Sequence, residues 1–153
     1  MKKIFTILLT VSLFLGLSTS VFAAIDEESA EGLQLIEQAN LEIEEMIEQA
    51  VAEANELQKN YSLELEKVSV KIGSTNDDKQ VAKLNKEKAK LTTKYNKELD
   101  KIIHSIYKET FKLSKETIKE AAKYGVIAEC FLEPVKFADR IVMIDPLRIV
   151  GEY

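Results

Sequence analysis

Cys130 is the only thiol in this chain, so no disulfide can be closed within it and its stability must come from packing. His104 is the only histidine, and one imidazole with scattered carboxylates makes a poor zinc site. There is no glycine-rich phosphate loop, no HExxH, no CxxC and no G-x-S-x-G, so the common catalytic and nucleotide-binding signatures are missing. Proline is absent until Pro134. These gaps point to a non-enzymatic protein with no cofactor and no metal. The alternative is a small envelope enzyme or metal binder in which His104 serves Cys130 as a base. Cys130, however, falls on an apolar strand pattern, where a thiol ionises with difficulty and reacts slowly.

What is present begins with a leader. Lys2 and Lys3 precede an uncharged apolar run from Ile4 to Phe14, and Val21-Phe22-Ala23 offers a small-x-small cleavage point. That is the layout of a secretory signal peptide over residues 1–23, cut near Ala23. Gly, Ser and Thr in the same stretch suit a membrane span poorly, so no span is expected after cleavage. An exported chain starting at Ala24 has 130 residues, enough for one domain, and its expected place is outside the cell or in the envelope. It keeps all 26 acidic residues and loses Lys2 and Lys3, so the net charge moves from −5 to −7. An acidic balance of this kind argues against nucleic acid as a partner, since that needs a basic face to release counterions.

From Glu28 to Ile72 apolar residues recur at alternating steps of three and four. Ile36, Ile43, Ala50 and Leu57 hold one heptad position, and Asn40, Ile47, Ala54, Tyr61 and Val68 hold the other. The spacing predicts a long helix over about 28–72 with a narrow, coiled-coil-like seam. Gly73 should stop it, and Thr75 or Asn76 should cap a second helix over about 77–124. Gly125 then sits where a left-handed C-cap belongs. So short a connection folds the helices back antiparallel, in arms of roughly 65 Å. With the turn centred near residue 75, facing residues sum to about 150, which sets Tyr61 against Ala89 and Tyr95 against Ala54. Residues 26–66 carry thirteen acids and one lysine, whereas residues 79–123 carry thirteen lysines and six acids. Opposite charge favours this pairing and disfavours two copies of the first helix lying together.

The second helix has a further apolar stripe, Ile103, Tyr107, Phe111 and Ile118, which needs a cover. The tail, residues 126–153, can supply it. Val126 to Glu133 alternates like a strand, "FADR" at 137–140 reads as a tight turn, and Ile141–Ile144 returns until Asp145-Pro146 ends the strand. An eight-residue strand spans about 26 Å, or roughly 17 helical residues, and would reach back to about residue 108. The expected architecture is α+β: a helical hairpin over 24–125 with a small β-hairpin packed on its open end.

With a two-residue turn at Ala138-Asp139, cross-strand partners sum to 277. One face of the hairpin then holds Cys130, Leu132, Pro134, Ile141 and Met143. The other holds Phe131, Val135, Phe137, Val142 and Ile144. Both faces are apolar, yet the helices can cover only one. Either "PLRIVGEY" wraps the tail, or its outer face and edge meet another chain. The second set, Phe131, Val135, Phe137, Val142 and Ile144, is taken as the candidate interface, for a protein partner or for self-association.

The Lys-Lys leader, the charged helical segment and the closing "IDPLRIVGEY" together resemble small exported proteins of Gram-positive bacteria with no assigned function. That resemblance brings no catalytic residues with it. Periplasmic holdase chaperones are similar in architecture, in joining a leader, helical arms and a small β element, but they are basic and place strands on both sides of the arms.

Overall fold

The computed structural model describes residues 27 to 152, so the signal-peptide reading of residues 1–23 lies outside the described residues. Two helices, α1 (Glu27–Gly73) and α2 (Asp78–Ala121), pack against each other, and four short strands follow: β1 (Val126–Cys130), β2 (Glu133–Phe137), β3 (Arg140–Ile144) and β4 (Leu147–Glu152). The architecture is the α+β arrangement expected from the sequence.

The turn differs in its chemistry. Gly73 does not adopt a left-handed conformation; it is the last helical residue, and the Ser74 N–H still reaches back to the Val70 carbonyl at 3.1 Å. The cap of α2 is Asp77 rather than Thr75 or Asn76. Its backbone is extended, at φ −91° and ψ 112°, and its carboxylate accepts the Lys79 N–H at 2.9 Å. Aspartate caps better than threonine, and Thr75 is occupied in accepting the Asp77 N–H at 3.3 Å. At the far end Ala122–Tyr124 tighten into a 3-10 turn, which Gly125 closes with φ 76°.

Between the helices Tyr95 and Ala54 share one buried cluster, in keeping with the expected register, whereas Tyr61 departs from it. Tyr61 does not face Ala89; its ring stacks on Tyr95, with centroids 4.4 Å apart, and its hydroxyl lies 3.0 Å from Thr92 Oγ1. Helical side chains lean toward their own N-terminus, so in an antiparallel pair Tyr61 and Tyr95 lean toward each other. The expected charge pairing is not made in contacts. Among the described residues no ion pair joins α1 to α2, although ion pairs occur within α2 and to the tail. Opposite charge therefore acts on this pairing only at longer range.

The tail is one ribbon in two halves. β2 pairs antiparallel with β3, and β1 with β4. The register sum of 277 holds from Phe137↔Arg140 out to Ala128↔Ile149, beyond which a bulge shifts it. Asp145-Pro146 thus interrupts the ladder without ending it. Pro146 has no N–H to give, but its carbonyl accepts the Phe131 N–H at 3.0 Å across the break. "PLRIVG" does supply a pairing strand, and the ribbon is longer than expected. Thirteen residues from Val126 to Ala138 span about 43 Å, equal to roughly 29 residues of helix. Counted back from Tyr124, that reaches Tyr95, well past residue 108, and Tyr95 is among the residues the ribbon tip touches.

Two cores result. Near the open end Ile36, Ala39, Ala121, Val126, Ala128 and Leu147 pack together; midway along, Ala54, Tyr95, Leu99, Ile106, Phe137 and Ile144 do so.

Candidate functional site

The ribbon has a covered face and an open one, and they are the reverse of the expected pair. Phe137 and Ile144 are fully buried, and Val135 and Val142 are half-buried against the same core. Phe131 is half-buried at the break, with the Arg148 guanidinium 5.9 Å from its ring centroid. The open face carries Leu132, Ile141 and Met143, of which Ile141 is 72% exposed. The five residues taken as a candidate interface therefore face inward or sit at the break. The partition into faces holds from Leu132 to Ile144, because residues i and i+2 share one side of a strand, but it switches at the break, where Cys130 packs inward with Val126, Ala128 and Leu147. What changes is which side the helices take.

The reason lies in α2. Thr110, Ser114, Thr117 and Ala121 are buried, at spacings of four, three and four, and form a strip of small side chains. Along such a strip the ribbon backbone can lie close to the helix, as it does at Asp145. Ser114 Oγ donates to the Asp145 carbonyl at 2.9 Å, and Thr110 Oγ1 is satisfied within its own helix by the Ile106 carbonyl at 2.9 Å. The stripe expected beneath the tail splits: Ile103 and Ile118 join the two cores, whereas Tyr107 and Phe111 stay 43% and 45% exposed. Their rings are near-parallel, with centroids 6.2 Å apart. The hydroxyl periodicity in α2 was the available signal, and hydrophobicity alone hides it.

The ribbon is tied down at its middle and at its tip. Beside the break the Asn40 amide pairs twice with Leu147: Nδ2 donates to the carbonyl and Oδ1 accepts the N–H, each at 2.9 Å. A seam asparagine thus does for one strand residue what a neighbouring strand would do. At the tip the Tyr95 hydroxyl donates to Asp139 Oδ1 at 2.7 Å. Burial, reinforced by the Asp139 hydrogen bond and charge, pushes the Tyr95 phenol up to about 12. Arg140 binds Asp100 and donates to Asn96 Oδ1 at 2.9 Å. Ala138 holds φ 54°, the position where a two-residue hairpin normally places glycine. So the open face is presented on a fixed support.

The paired thiol and imidazole of the alternative reading are not assembled. Cys130 neighbours Ser114 and Asp145, and burial, with the Asp145 charge, pushes its thiol up. His104 is exposed on α2, ten residues before Ser114, or about 15 Å of helix. Among the described residues no group of three or more His, Cys, Asp or Glu is placed to hold a metal ion, and no described helix is long and apolar enough to cross a membrane. The marked depressions are open grooves. One of about 510 Å³ runs between the helices past Glu53, Leu57, Glu98 and Ile102. Two others follow α1 beside the tail.

Comparison with protein-family models, with curated proteins and with solved structures gives no match to this chain.

Proposed function

We propose that this chain is an exported, non-enzymatic protein that works by binding another protein, through the open face of its β ribbon. The observation carrying this reading is the exposure of Leu132, Ile141 and Met143 together, on a ribbon anchored at its middle and its tip. Large apolar side chains grouped on a rigid surface of an otherwise charged chain favour contact with a partner. A preordered surface also loses little entropy on binding. The leader-like residues 1–23 support a place for that contact outside the membrane.

The test uses the chain starting at Ala24 with a photo-reactive side chain at position 141, incubated with the envelope of its own cells. A discrete adduct is expected, abolished by Met143→Lys while helicity and melting temperature hold. Phe137→Lys, by contrast, should cost about 4 kcal/mol or more, because it empties a filled core position and buries a charge. An adduct that survives Met143→Lys, or no adduct at all, would sink the reading.

A further inference from the structure

We infer that the chain associates head to tail with further copies of itself, the basic aromatic ridge of α2 in one copy seating in the acidic apolar groove beside α1 in the next. This rests on the reading of the chain as a contact protein, but it uses surfaces other than the open face of the ribbon.

The groove lies between α1 and the tail. Two adjoining depressions, of about 420 and 370 Å³, share Asn40 and Glu44 and run from Leu33 to Glu48, roughly 22 Å of helix. Their floor is apolar. Every charged side chain lining them is a glutamate: Glu37, Glu44, Glu48 and Glu133. None of the four has a cationic partner among the described residues.

The ridge lies on the opposite flank. β2 runs beside α1, while β3 runs beside α2, where Arg140 reaches Asn96 and Asp100, so the ribbon separates the two surfaces. On the outer side of α2 the stacked Tyr107 and Phe111 stand half out of the protein. His104, Lys108, Lys112 and Lys115 follow helical spacing along the same side. Of these lysines only Lys112 makes an ion pair, a 3.9 Å contact with Glu116 that leaves its side chain 73% exposed.

An acidic, apolar groove with no ion pair and a basic, aromatic ridge with a single long one thus occupy opposite flanks of one molecule. The charge complementarity selects the arrangement. A two-fold dimer through the ridge would set lysines against lysines, and one through the groove would set glutamates against glutamates. Only ridge in groove pairs opposite signs and covers Tyr107 and Phe111 as well. Such a contact is heterologous, so it propagates into a ring or an open chain of copies instead of stopping at two.

The test is sedimentation velocity on the chain starting at Ala24, over a range of concentrations. The parent should rise with concentration beyond twice the protomer mass. Lys108→Glu/Lys112→Glu, reversing the ridge, and Glu44→Lys/Glu48→Lys, reversing the groove, should each remain at the protomer mass with parental helicity. An equimolar mixture of the two should recover association, since each then offers the other a complementary surface. Tyr107→Ser/Phe111→Ser should weaken association without altering charge, and serves if a charge variant loses helicity. Ile141→Lys should leave self-association intact, which separates this inference from the ribbon-face reading. A parent that stays at the protomer mass, a groove variant that associates as the parent does, or a mixture that fails to recover would each overturn it.

Discussion

Gly32 lies inside α1, where alanine should improve the helix by about 0.8–1 kcal/mol, yet Gly32→Ala is expected to destabilise this protein. A Cβ at that position would meet Val126 Cγ2 at 2.7 Å, Tyr124 Cβ at 3.0 Å and Val126 Cβ at 3.2 Å. Val126 cannot step aside. It is fully buried, its branched side chain is stiff about χ1, and it follows Gly125, whose left-handed turn sets where β1 begins. Forcing a methyl into packed surroundings costs about 1–3 kcal/mol. Set against the helix gain, the net is a loss of about 1 kcal/mol. Gly73 provides the internal control: it is also helical, and a Cβ there meets nothing within 4 Å. Gly73→Ala should therefore stabilise by about 0.5–1 kcal/mol, leaving the two variants about 2 kcal/mol apart. Urea unfolding of the chain starting at Ala24, followed by far-ultraviolet circular dichroism, measures both. Adding Val126→Ala to Gly32→Ala should recover part of the loss, with a coupling of at least about 0.5 kcal/mol. If Gly32→Ala stabilises as much as Gly73→Ala does, the tail does not root on α1 and the account of the open end is wrong.

Asn40→Ala should cost about 1–3 kcal/mol in the same assay, because it strips both amide partners from Leu147. Asn40→Asp should recover little, since a carboxylate would face the Leu147 carbonyl; a neutral Asn40→Ala would refute the anchoring role. Asp145 is buried, which raises its carboxyl above the ordinary aspartate range. The unfolded chain therefore ionises first as pH rises, and the stability this residue allows is greatest below that range and declines through the raised value. Asp145→Asn should accordingly stabilise the protein at neutral pH, with a difference from the parent that shrinks on acidification. A difference constant with pH would refute it.

The helices were legible because seam residues such as Ile36, Ile43, Leu99 and Ile106 repeat at a helical period over many turns. The ribbon register was legible too, since a two-residue turn at Ala138-Asp139 leaves one pairing, and that pairing runs to Ile149. Which face turns inward was not. Val135, Phe137, Val142 and Ile144 are no more apolar than Leu132, Ile141 and Met143, so alternation alone cannot choose between them. Phe137 and Ile144 turn inward onto Ala54, Tyr95, Leu99 and Ile106, whose placement depends on the helix pairing, while Thr110, Ser114, Thr117 and Ala121, whose importance is small volume, receive the break at Asp145. Asp145-Pro146 read as a terminus because a proline breaks a ladder. Only the Phe131 N–H on the Pro146 carbonyl shows that the ribbon bridges the gap. The groove beside α1 needed the tail in place before its glutamates could be seen as one lining.

The ribbon stops at Tyr95, and that leaves the hairpin unevenly clad. From Leu33 to about Ala54 the helix pair is backed by strands, but beyond Tyr61 toward Gly73 each helix has only the other. There Val68 and Leu84 are buried while Leu63 and Val70 stand 48% and 65% exposed. Opening that end separates two surfaces, whereas opening the other end separates three together with the Asn40 and Ser114 bonds. Spontaneous fraying should therefore begin at the Ser74–Asp77 loop and die out at the Tyr61–Tyr95 stack. The molecule behaves as a stiff handle carrying a supple tip, and a nick in the loop would leave the handle whole.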